Sequence, residues 1–244
     1  MTPWREWTSP LPNVPGSLRV WLINVDTDAL CQQPGSVLSE TEASRAARFS
    51  TPLLARRYAG AHAALRRLLA AENGSSARAL RFGESARGKP VLLSTSQEFS
   101  LDFNLSHSGP WVLVGVARGL HIGVDIEEVT HHHDWPLVAA EILAPLELSA
   151  LHQRPPDLQP EFLIRTWTTK EACLKGMGAG LSIHPQRLVC RMTTGNGIAF
   201  DLDGQPLETR YAWNTIGPDF SASIVALKAC TRGSSAGGTA CTRR

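Results

Sequence analysis

The sequence lacks the features that mark secreted, membrane-spanning and cysteine-metal proteins. Its N-terminus, MTPWREWTSPLPNVPGS, has no apolar signal-peptide region, and no apolar run approaches the roughly 20 residues of a membrane span. The five cysteines form no CxxC pair, which argues against a disulfide framework and a zinc site. The net charge is only +2, so there is no overall basic field for nucleic acid. We therefore expect a cytoplasmic protein that binds neither membranes nor nucleic acid.

The overall composition is that of an ordinary globular protein. The chain has 244 residues, of which 43% are hydrophobic and 19% charged. This length is sufficient for one large domain or two small ones with a substantial core. The tail from Arg232, RGSSAGGTACTRR, is rich in Gly, Ser and Ala, and its composition predicts disorder.

Two long helices are predicted, together with a capped shorter one. Ser39 and Glu42 have the spacing of a capping box. A helix is expected from about Pro52 to Asn73, where Asn-Gly ends it. The segment FLIRTWTTKEACLKGMG predicts another helix, ended by its glycines. The two long helices carry Arg, an aromatic residue, Ala and Leu at similar offsets, a faint indication of internal duplication.

Strands are predicted between and after these helices. LRVWLINVD, LDFNLSHSG, WVLVGVA and HIGVDIEEV have the β-branched or alternating pattern of strands, and several short strands are expected between residues 188 and 229. The region from Thr130 to Pro160 is punctuated by prolines and is predicted to be partly helical.

The segment GVDIEEV predicts a pair of carboxylates on one face of a strand. Asp125 and Glu127 are two residues apart, so their side chains leave the same side. Two neighbouring carboxylates repel unless a cation lies between them, and magnesium prefers such oxygen ligands. The alternative is a solvated strand face that happens to carry acids.

The segment WTTKEACLKG places acidic and basic groups on one face of a helix. Trp167, Glu171 and Lys175 recur every four residues, and Lys170 lies beside them. One interpretation is a surface ladder of ion pairs. The other is that Glu171 completes a metal shell while Lys170 and Lys175 neutralise phosphate oxygens.

Two further positions indicate a phosphate ligand. His107 ends an alternating strand and precedes Ser-Gly, where exposed backbone N–H groups help to bind an anion. Lys89 lies between Gly and Pro in a rigid turn that would direct its ammonium group. Each residue alone is equally compatible with an ordinary turn.

Five motifs occur in a fixed order: R-R-Y, G-K-P, F-N-x-S-H-S-G, G-x-D-I-E and W-x-x-K-E-A-x-x-K. From about Ser39 to Leu181, this set resembles the 4′-phosphopantetheinyl transferases of the surfactin-synthetase-activating type, in the holo-acyl-carrier-protein synthase superfamily. The resemblance implies an enzyme that moves the phosphopantetheine arm of coenzyme A onto a carrier-protein serine and releases 3′,5′-adenosine bisphosphate.

The resemblance also implies the fold and the domain limits. We expect a monomeric α+β protein of two pseudo-symmetric halves, each a small antiparallel sheet packed with a long helix. The active site would lie between an N-terminal half (residues 1–117) and a C-terminal half (residues 118–231), followed by the tail (residues 232–244).

Site residues follow from the resemblance by motif. The implied magnesium ligands are Asp125, Glu127 and Glu171, and the implied catalytic residues are Glu127, Glu171 and Lys175, with either glutamate as the base. Glu42 falls where the family often has a basic residue for the 3′-phosphate. The implied coenzyme A contacts are Arg45, Arg57, Lys89, Ser106, His107, Lys170 and Lys175.

The implied partners are acyl, aryl or peptidyl carrier proteins, which are acidic. They would dock on the region from Thr130 to Pro160, where Leu146, Leu148 and Leu151 either receive a carrier helix or pack inward. The three histidines His131–His133 are more typical of a solvated loop than of a metal site. Two other functions remain open: a non-catalytic coenzyme A binder, and a magnesium-dependent nuclease or nucleotide phosphodiesterase.

Overall fold

The structure, a computed structural model, describes residues 15–93, 101–129, 135–192 and 197–228. The predicted tail and the three histidines His131–His133 lie outside these ranges. None of the helices in the described ranges is both long and apolar enough to cross a membrane.

Between residues 18 and 118, the described residues form five strands and two helices. They are β1 (Leu18–Asn24), α1 (Glu40–Ala46), α2 (Pro52–Asn73), β2 (Phe82–Glu84), β3 (Pro90–Leu92), β4 (Leu101–Ser108) and β5 (Trp111–Arg118).

From residue 120 to residue 228, the part that the structure describes forms six strands and three helices. They are β6 (Leu120–Glu128), α3 (Trp135–Ile142), α4 (Pro145–His152), α5 (Gln159–Gly176), β7 (Leu188–Met192), β8 (Ile198–Leu202), β9 (Gln205–Pro206), β10 (Thr209–Ile216) and β11 (Phe220–Lys228).

The two parts of the chain repeat one topology. The first sheet has the antiparallel order β1–β5–β4, and the second has the order β6–β11–β10. In each sheet the first strand precedes the long helix, α2 or α5, and the last strand is central. This correspondence confirms the α+β prediction of two similar halves. The exact division at residues 117 and 118 stays a prediction.

The predicted helix ends are confirmed by local hydrogen bonds. Ser39 and Glu42 form a reciprocal capping box at α1. Thr51 accepts a hydrogen bond from the backbone N–H of Leu54 at the start of α2. Gly74 ends that helix in the left-handed conformation (φ 64°), which glycine adopts without steric cost.

The two sheets lie face to face, with a long helix on the outer side of each. Trp21 and Ile23 pack towards α2, whereas the alternate residue Val20 packs against the second sheet. Ile122, Val124 and Ile126 form the opposing buried face, as their alternation predicts. The remaining side of β6 and β11 packs against α5. The layers therefore run helix, sheet, sheet, helix.

Polar side chains of β4 join the first sheet to the backbone of β6. They alternate along the strand, so they share one face. Because each accepts from a β6 backbone N–H, the two halves are held at a defined offset. The backbone N–H of Ile122 donates to Asp102 Oδ2 (2.8 Å). That of Val124 donates to Asn104 Oδ1 (2.9 Å), and that of Glu128 donates to Ser108 Oγ (3.0 Å).

The predicted partly helical region forms α3 and α4. Leu151 is buried, and Leu148 packs against the same apolar cluster, which includes Leu143 and Leu163. The interpretation of Leu148 and Leu151 as carrier-docking residues is therefore wrong, because they pack inward. Leu146 is 59% exposed and remains accessible to a partner.

Candidate active site

Asp125 lies at the junction of the two sheets and α5. Its side chain is almost completely buried. Lys175 Nζ lies 2.5 Å from Asp125 Oδ1 and 3.0 Å from Ser106 Oγ. The Ser106 hydroxyl also donates to Asp125 Oδ1, at 2.8 Å. The three residues come from β6, α5 and β4, so the cluster exists only when both halves have folded.

The close approach of α5 to β6 depends on a glycine. A Cβ atom at Gly123 would lie 1.8 Å from the Ala172 carbonyl oxygen and 2.3 Å from the Gly176 nitrogen. The missing side chain lets the helix backbone rest directly on the strand. Lys175 in the last turn of α5 is thereby brought to Asp125.

Glu127 and Glu171 lie close to this cluster. Glu127 accepts a hydrogen bond from Ser108 Oγ (3.2 Å) and another from the Trp167 side chain. Glu171 is largely buried on α5. Within the described ranges, Asp125 Oδ2 and Glu171 Oε1 are buried without a hydrogen-bond partner. Such atoms are costly unless a further group satisfies them.

Electrostatics show that the three carboxylates interact. Burial raises the pKa of Asp125, although Lys175 opposes this effect. Burial and the charge of Asp125 raise the pKa of Glu127. Burial also raises the pKa of Glu171; Lys175 opposes this rise, while Asp125 and Glu127 add to it. Ionisation of one carboxylate therefore disfavours ionisation of its neighbours.

This donor set fits a magnesium ion bound together with a phosphate. The described residues contain no group of three His, Cys, Asp or Glu side chains that is already spaced to hold a metal. Magnesium, however, is usually bound through one or two carboxylates, with phosphate oxygens and water completing its shell. The unpartnered oxygens of Asp125 and Glu171 and the mutual repulsion of the acids are consistent with such a site.

A band of basic and aromatic groups extends from this cluster across the first half. His107 keeps part of its surface exposed, but the surrounding protein still removes water from its ring. This desolvation, together with the charges of His62 and Lys175, lowers the pKa of His107. The rings of His62 and Tyr58 lie 4.2 Å apart, and the Arg45 guanidinium lies 5.6 Å from the centre of the Tyr58 ring. Tyr58 itself is buried, so the band offers a ligand the positive charge of its basic groups.

Glu42, the acid at a position where the family often has a base, has a structural role. It accepts hydrogen bonds from the backbone of Ser39 (2.8 Å) and from the buried Arg66 guanidinium (2.7 Å). His62 Nδ1 lies 3.5 Å from its other oxygen. Glu42 thus fixes the start of α1 and neutralises Arg66, instead of contacting a phosphate.

Lys89 and Arg57 are both held by acidic partners. Lys89 Nζ donates to Asp102 Oδ2 (2.5 Å) and to the Ile122 carbonyl oxygen (2.9 Å), which links the G-K-P turn to both sheets. Arg57 Nη2 donates to Asp26 Oδ2 at 2.6 Å. Their contacts with coenzyme A stay predictions.

The prediction that Lys170 binds a phosphate is wrong. The side chain is fully buried. Its ammonium donates to Glu147 Oε2 (2.5 Å), the Ile142 carbonyl (2.9 Å) and the Pro185 carbonyl (3.0 Å). An ammonium group has three donors, so none is left for a ligand. Helical periodicity places Lys170 beside Glu171, but it does not reveal that the two point to different partners.

Sequence reasoning missed three residues that support the site. The Ser108 hydroxyl donates a hydrogen bond to Glu127. The sequence indicates this role only through the alternation of Ser108 with Ser106 along β4. Trp167 donates to Glu127, and its place four residues before Glu171 was the signal for that contact. The sequence gives little indication of the buried acid Glu147. It shows only that Glu147 follows Ala-Pro at the start of a helix.

A cavity of about 660 Å³ lies elsewhere, between α4, α5 and the last strands. Its lining includes Phe162, Arg165, Thr169 and Asn214, but none of the predicted site residues. This cavity is therefore separate from the cluster of carboxylates at the junction of the two halves.

Carboxylates, a lysine and a basic aromatic band at this junction are typical of an enzyme that handles a nucleotide-like phosphate substrate. Residues 121–225 match the family model of the 4′-phosphopantetheinyl transferase superfamily, and residues 27–118 match the model of the 4′-phosphopantetheinyl transferase N-terminal domain. The chain belongs to the 4′-phosphopantetheinyl transferase family and is an enzyme of that class.

Individual relatives are similar over much of the chain. The 4′-phosphopantetheinyl transferase HetI of Nostoc sp. is 32% identical over 180 residues, which are 72% of this chain and 76% of HetI. The transferase Sfp of Bacillus subtilis is 28% identical over 126 residues, which are 50% of this chain and 52% of Sfp. A crystal structure of a holo-(acyl-carrier-protein) synthase from Bacillus anthracis, in complex with coenzyme A (3′,5′-ADP), is 18% identical. It covers 45% of this chain and 96% of that one, with a TM-score of 0.40.

Proposed function

We propose that the protein transfers the 4′-phosphopantetheine arm of coenzyme A to a serine of an acyl, aryl or peptidyl carrier protein. The reaction releases 3′,5′-adenosine bisphosphate and depends on magnesium. The observation that carries this proposal is the Asp125–Lys175–Ser106 cluster beside the unpartnered oxygen of Glu171. Membership in the family supports the same reaction. Coenzyme A and a carrier protein are the substrates that this class of enzyme implies. That the protein is a monomer and lies in the cytoplasm is our proposal.

In the proposed reaction the serine hydroxyl attacks the β-phosphorus of coenzyme A. A new P–O bond forms to the serine, and the bond from that phosphorus to the bridging oxygen breaks. Adenosine bisphosphate leaves with the bridging oxygen. Asp125, Glu127 and Glu171 would hold a magnesium ion, which would supply positive charge to the pyrophosphate oxygens when bound.

The chain's own residues supply the remaining chemistry. Lys175 has a side chain that is 26% exposed, so its ammonium can reach a phosphate while it stays near Asp125. His107 and Arg45 lie on the basic band, where they would bind the remaining phosphates. Lys89 and Arg57 are further proposed coenzyme A contacts, and the Ser106 hydroxyl would lie beside the pyrophosphate.

The serine proton must pass to a base. We propose Glu127 or Glu171 for this role, and the hydrogen bonds favour Glu171. Glu127 already accepts from Ser108 and Trp167, whereas Glu171 Oε1 has no partner among the described residues. The variant Glu171→Ala should reduce turnover far more than coenzyme A affinity. Equal losses would argue against Glu171 as the base.

One assay tests the proposal against its two alternatives. Apo carrier proteins of the acyl, aryl and peptidyl kinds are incubated with the protein, coenzyme A and magnesium, and their intact masses are measured. We expect one carrier to gain the mass of a phosphopantetheine arm, and the gain to disappear with Asp125→Asn. Coenzyme A cleaved without any carrier would indicate a phosphodiesterase. Coenzyme A bound but unchanged would indicate a non-catalytic binder.

A further inference from the structure

A layer of small polar side chains lies between α5 and the second sheet. We call Thr168, Thr169, Asn214, Ser221 and Ser223 the polar layer. Thr168, Ser221 and Ser223 are fully buried, and Thr169 is almost fully buried beside the cavity. Helices usually pack on sheets through apolar residues, as α5 does farther along at Ala172 and Leu174. The polar layer departs from that rule beside the carboxylates.

Thr168 is the centre of this layer. Its hydroxyl oxygen lies 3.0 Å from Ser221 Oγ, accepts from Asn214 Nδ2 at 3.2 Å, and accepts from Ser223 Oγ at 3.1 Å. Asn214 Nδ2 also donates to Ser223 Oγ at 2.6 Å, and Arg165 Nε donates to Asn214 Oδ1 at 2.8 Å. Residues from α5, β10 and β11 therefore meet at one oxygen atom.

The polar layer is continuous with the proposed metal site. In the antiparallel register of β6 and β11, Ser221 is opposite Glu127 and Ser223 is opposite Asp125. Residues directly opposite one another project from the same side of the sheet. The serines and the carboxylates thus form one polar surface, and α5 lies across it.

Thr168 is also close in sequence to the helix residues of the site. It follows Trp167, which donates to Glu127, and it precedes Glu171 by about one helical turn. Hydrogen bonds require defined distances and angles, whereas apolar contacts are non-directional. Several hydrogen bonds at Thr168 therefore restrict rotation and sliding of α5 more tightly than an apolar contact would.

We propose that Thr168 is a positioning residue: its hydroxyl, held by Asn214, Ser221 and Ser223, fixes the orientation of α5 and so keeps Glu171 and Lys175 in place against Asp125. This inference rests on the proposed transferase function and adds a residue that does not touch the substrate. Displacing a catalytic group by about 1 Å is enough to reduce turnover roughly 100-fold.

Thr168→Val tests the proposal because it removes the hydroxyl and keeps the shape. Thr168→Ser keeps the hydroxyl. Thr166→Val is the matched control, since Thr166 lies on the same helix and its hydroxyl bonds only to the Phe162 carbonyl one turn earlier. For each variant we would measure kcat, KM for coenzyme A, the melting temperature and amide hydrogen exchange in α5.

We expect Thr168→Val to lower kcat about tenfold or more. KM for coenzyme A should rise by a smaller factor, because Lys175 is displaced while the contacts of the basic band in the other half are kept. Thr168→Ser should recover most of kcat, and Thr166→Val should keep it. Exchange in α5 around Glu171 should rise in Thr168→Val alone.

Equal effects of Thr168→Val and Thr166→Val on kcat would overturn the proposal, as would a lower melting temperature with unchanged kcat in Thr168→Val. If Thr168→Val does not fold, Ser221→Ala removes a single partner of the same hydroxyl and must lower kcat by a larger factor than it raises KM. A wild-type protein that modifies no carrier would overturn the proposed function instead. The exchange comparison would still decide whether Thr168 orients α5.

Discussion

Lys170 Nζ lies 2.5 Å from Glu147 Oε2, and both side chains are buried. Glu147 also accepts from the backbone N–H groups of Ala144 (2.8 Å) and Cys190 (2.8 Å). This ion pair therefore ties α5 to the start of α4 and to β7. It places a strictly structural lysine next to Glu171, a residue of the proposed metal site.

The first prediction separates the two lysines of α5. Lys170→Met should lower the free energy of unfolding by about 3–5 kcal/mol, because it leaves the buried Glu147 without its counter-charge. Lys175→Met should abolish transfer with a smaller loss of stability, since Lys175 is partly exposed. Urea denaturation and the carrier-modification assay measure the two effects. A stable Lys170→Met variant with weakened coenzyme A binding would restore the phosphate-binding interpretation.

The second prediction concerns magnesium and thermal stability. A cation that binds only the folded protein stabilises it, and it also relieves the repulsion among Asp125, Glu127 and Glu171. Magnesium chloride should therefore raise the melting temperature of the wild type, and Asp125→Asn or Glu171→Gln should reduce this rise. Glu161→Gln is the control, because Glu161 is an exposed acid on the same helix. An equal rise in all four proteins would indicate a general salt effect.

The third prediction concerns acid stability. Burial disfavours ionised Glu42, but hydrogen bonds from His62, Ser39 and Arg66 outweigh it and lower the pKa of Glu42 to about 2. A depressed pKa contributes stability that is present above the ordinary value of 4.5 and is lost as the pH falls towards 2. The contribution is about 3 kcal/mol.

Glu42→Gln should therefore destabilise the protein at neutral pH and flatten the dependence of unfolding free energy on pH between about 4.5 and 2. Denaturation curves over that range measure the effect. Glu40, an exposed acid two residues earlier in α1, provides the control variant Glu40→Gln. If both variants keep the wild-type pH dependence, Glu42 is not the group responsible.

The fourth prediction concerns the contact between α5 and β6. Gly123→Ala would place a methyl group against the backbone of Ala172 and Gly176, so α5 must move away from the strand. We expect a loss of about 1–3 kcal/mol in stability together with a large fall in kcat. At Gly217 a Cβ atom would approach no closer than 3.9 Å, so Gly217→Ala should preserve both quantities. Full activity in Gly123→Ala would show that the site tolerates displacement of the helix.

Local chemistry along the chain accounts for most of the secondary structure. The Ser39–Glu42 spacing predicts the capping box, Asn73-Gly74 predicts the end of α2, and the alternation of Ile122, Val124 and Ile126 predicts the buried face of β6. These features depend on hydrogen bonds within one turn and on side-chain periodicity. Both can be read from neighbouring residues.

The motifs in their order were sufficient to indicate the family and the candidate carboxylates Asp125, Glu127 and Glu171. The partners of individual charges could not be predicted in the same way. Lys170 and Lys175 lie on one helix, one residue before Glu171 and four residues after it, yet one meets Glu147 and the other meets Asp125. A lysine side chain is long and flexible, so its partner depends on which segment packs beside it.

Tertiary packing alone decided the contacts that assemble the site. Ser106 and Asp125 are 19 residues apart, and Lys175 is a further 50 residues away, but their polar atoms lie within 3.0 Å of one another. The side-chain bonds from β4 to β6, the missing Cβ of Gly123 and the hydrogen bonds at Thr168 set this geometry. Each of them joins segments that are distant in the chain. The amino-acid pattern therefore determines which chemical groups the chain carries. The packing of the two halves determines which partner each charged side chain contacts.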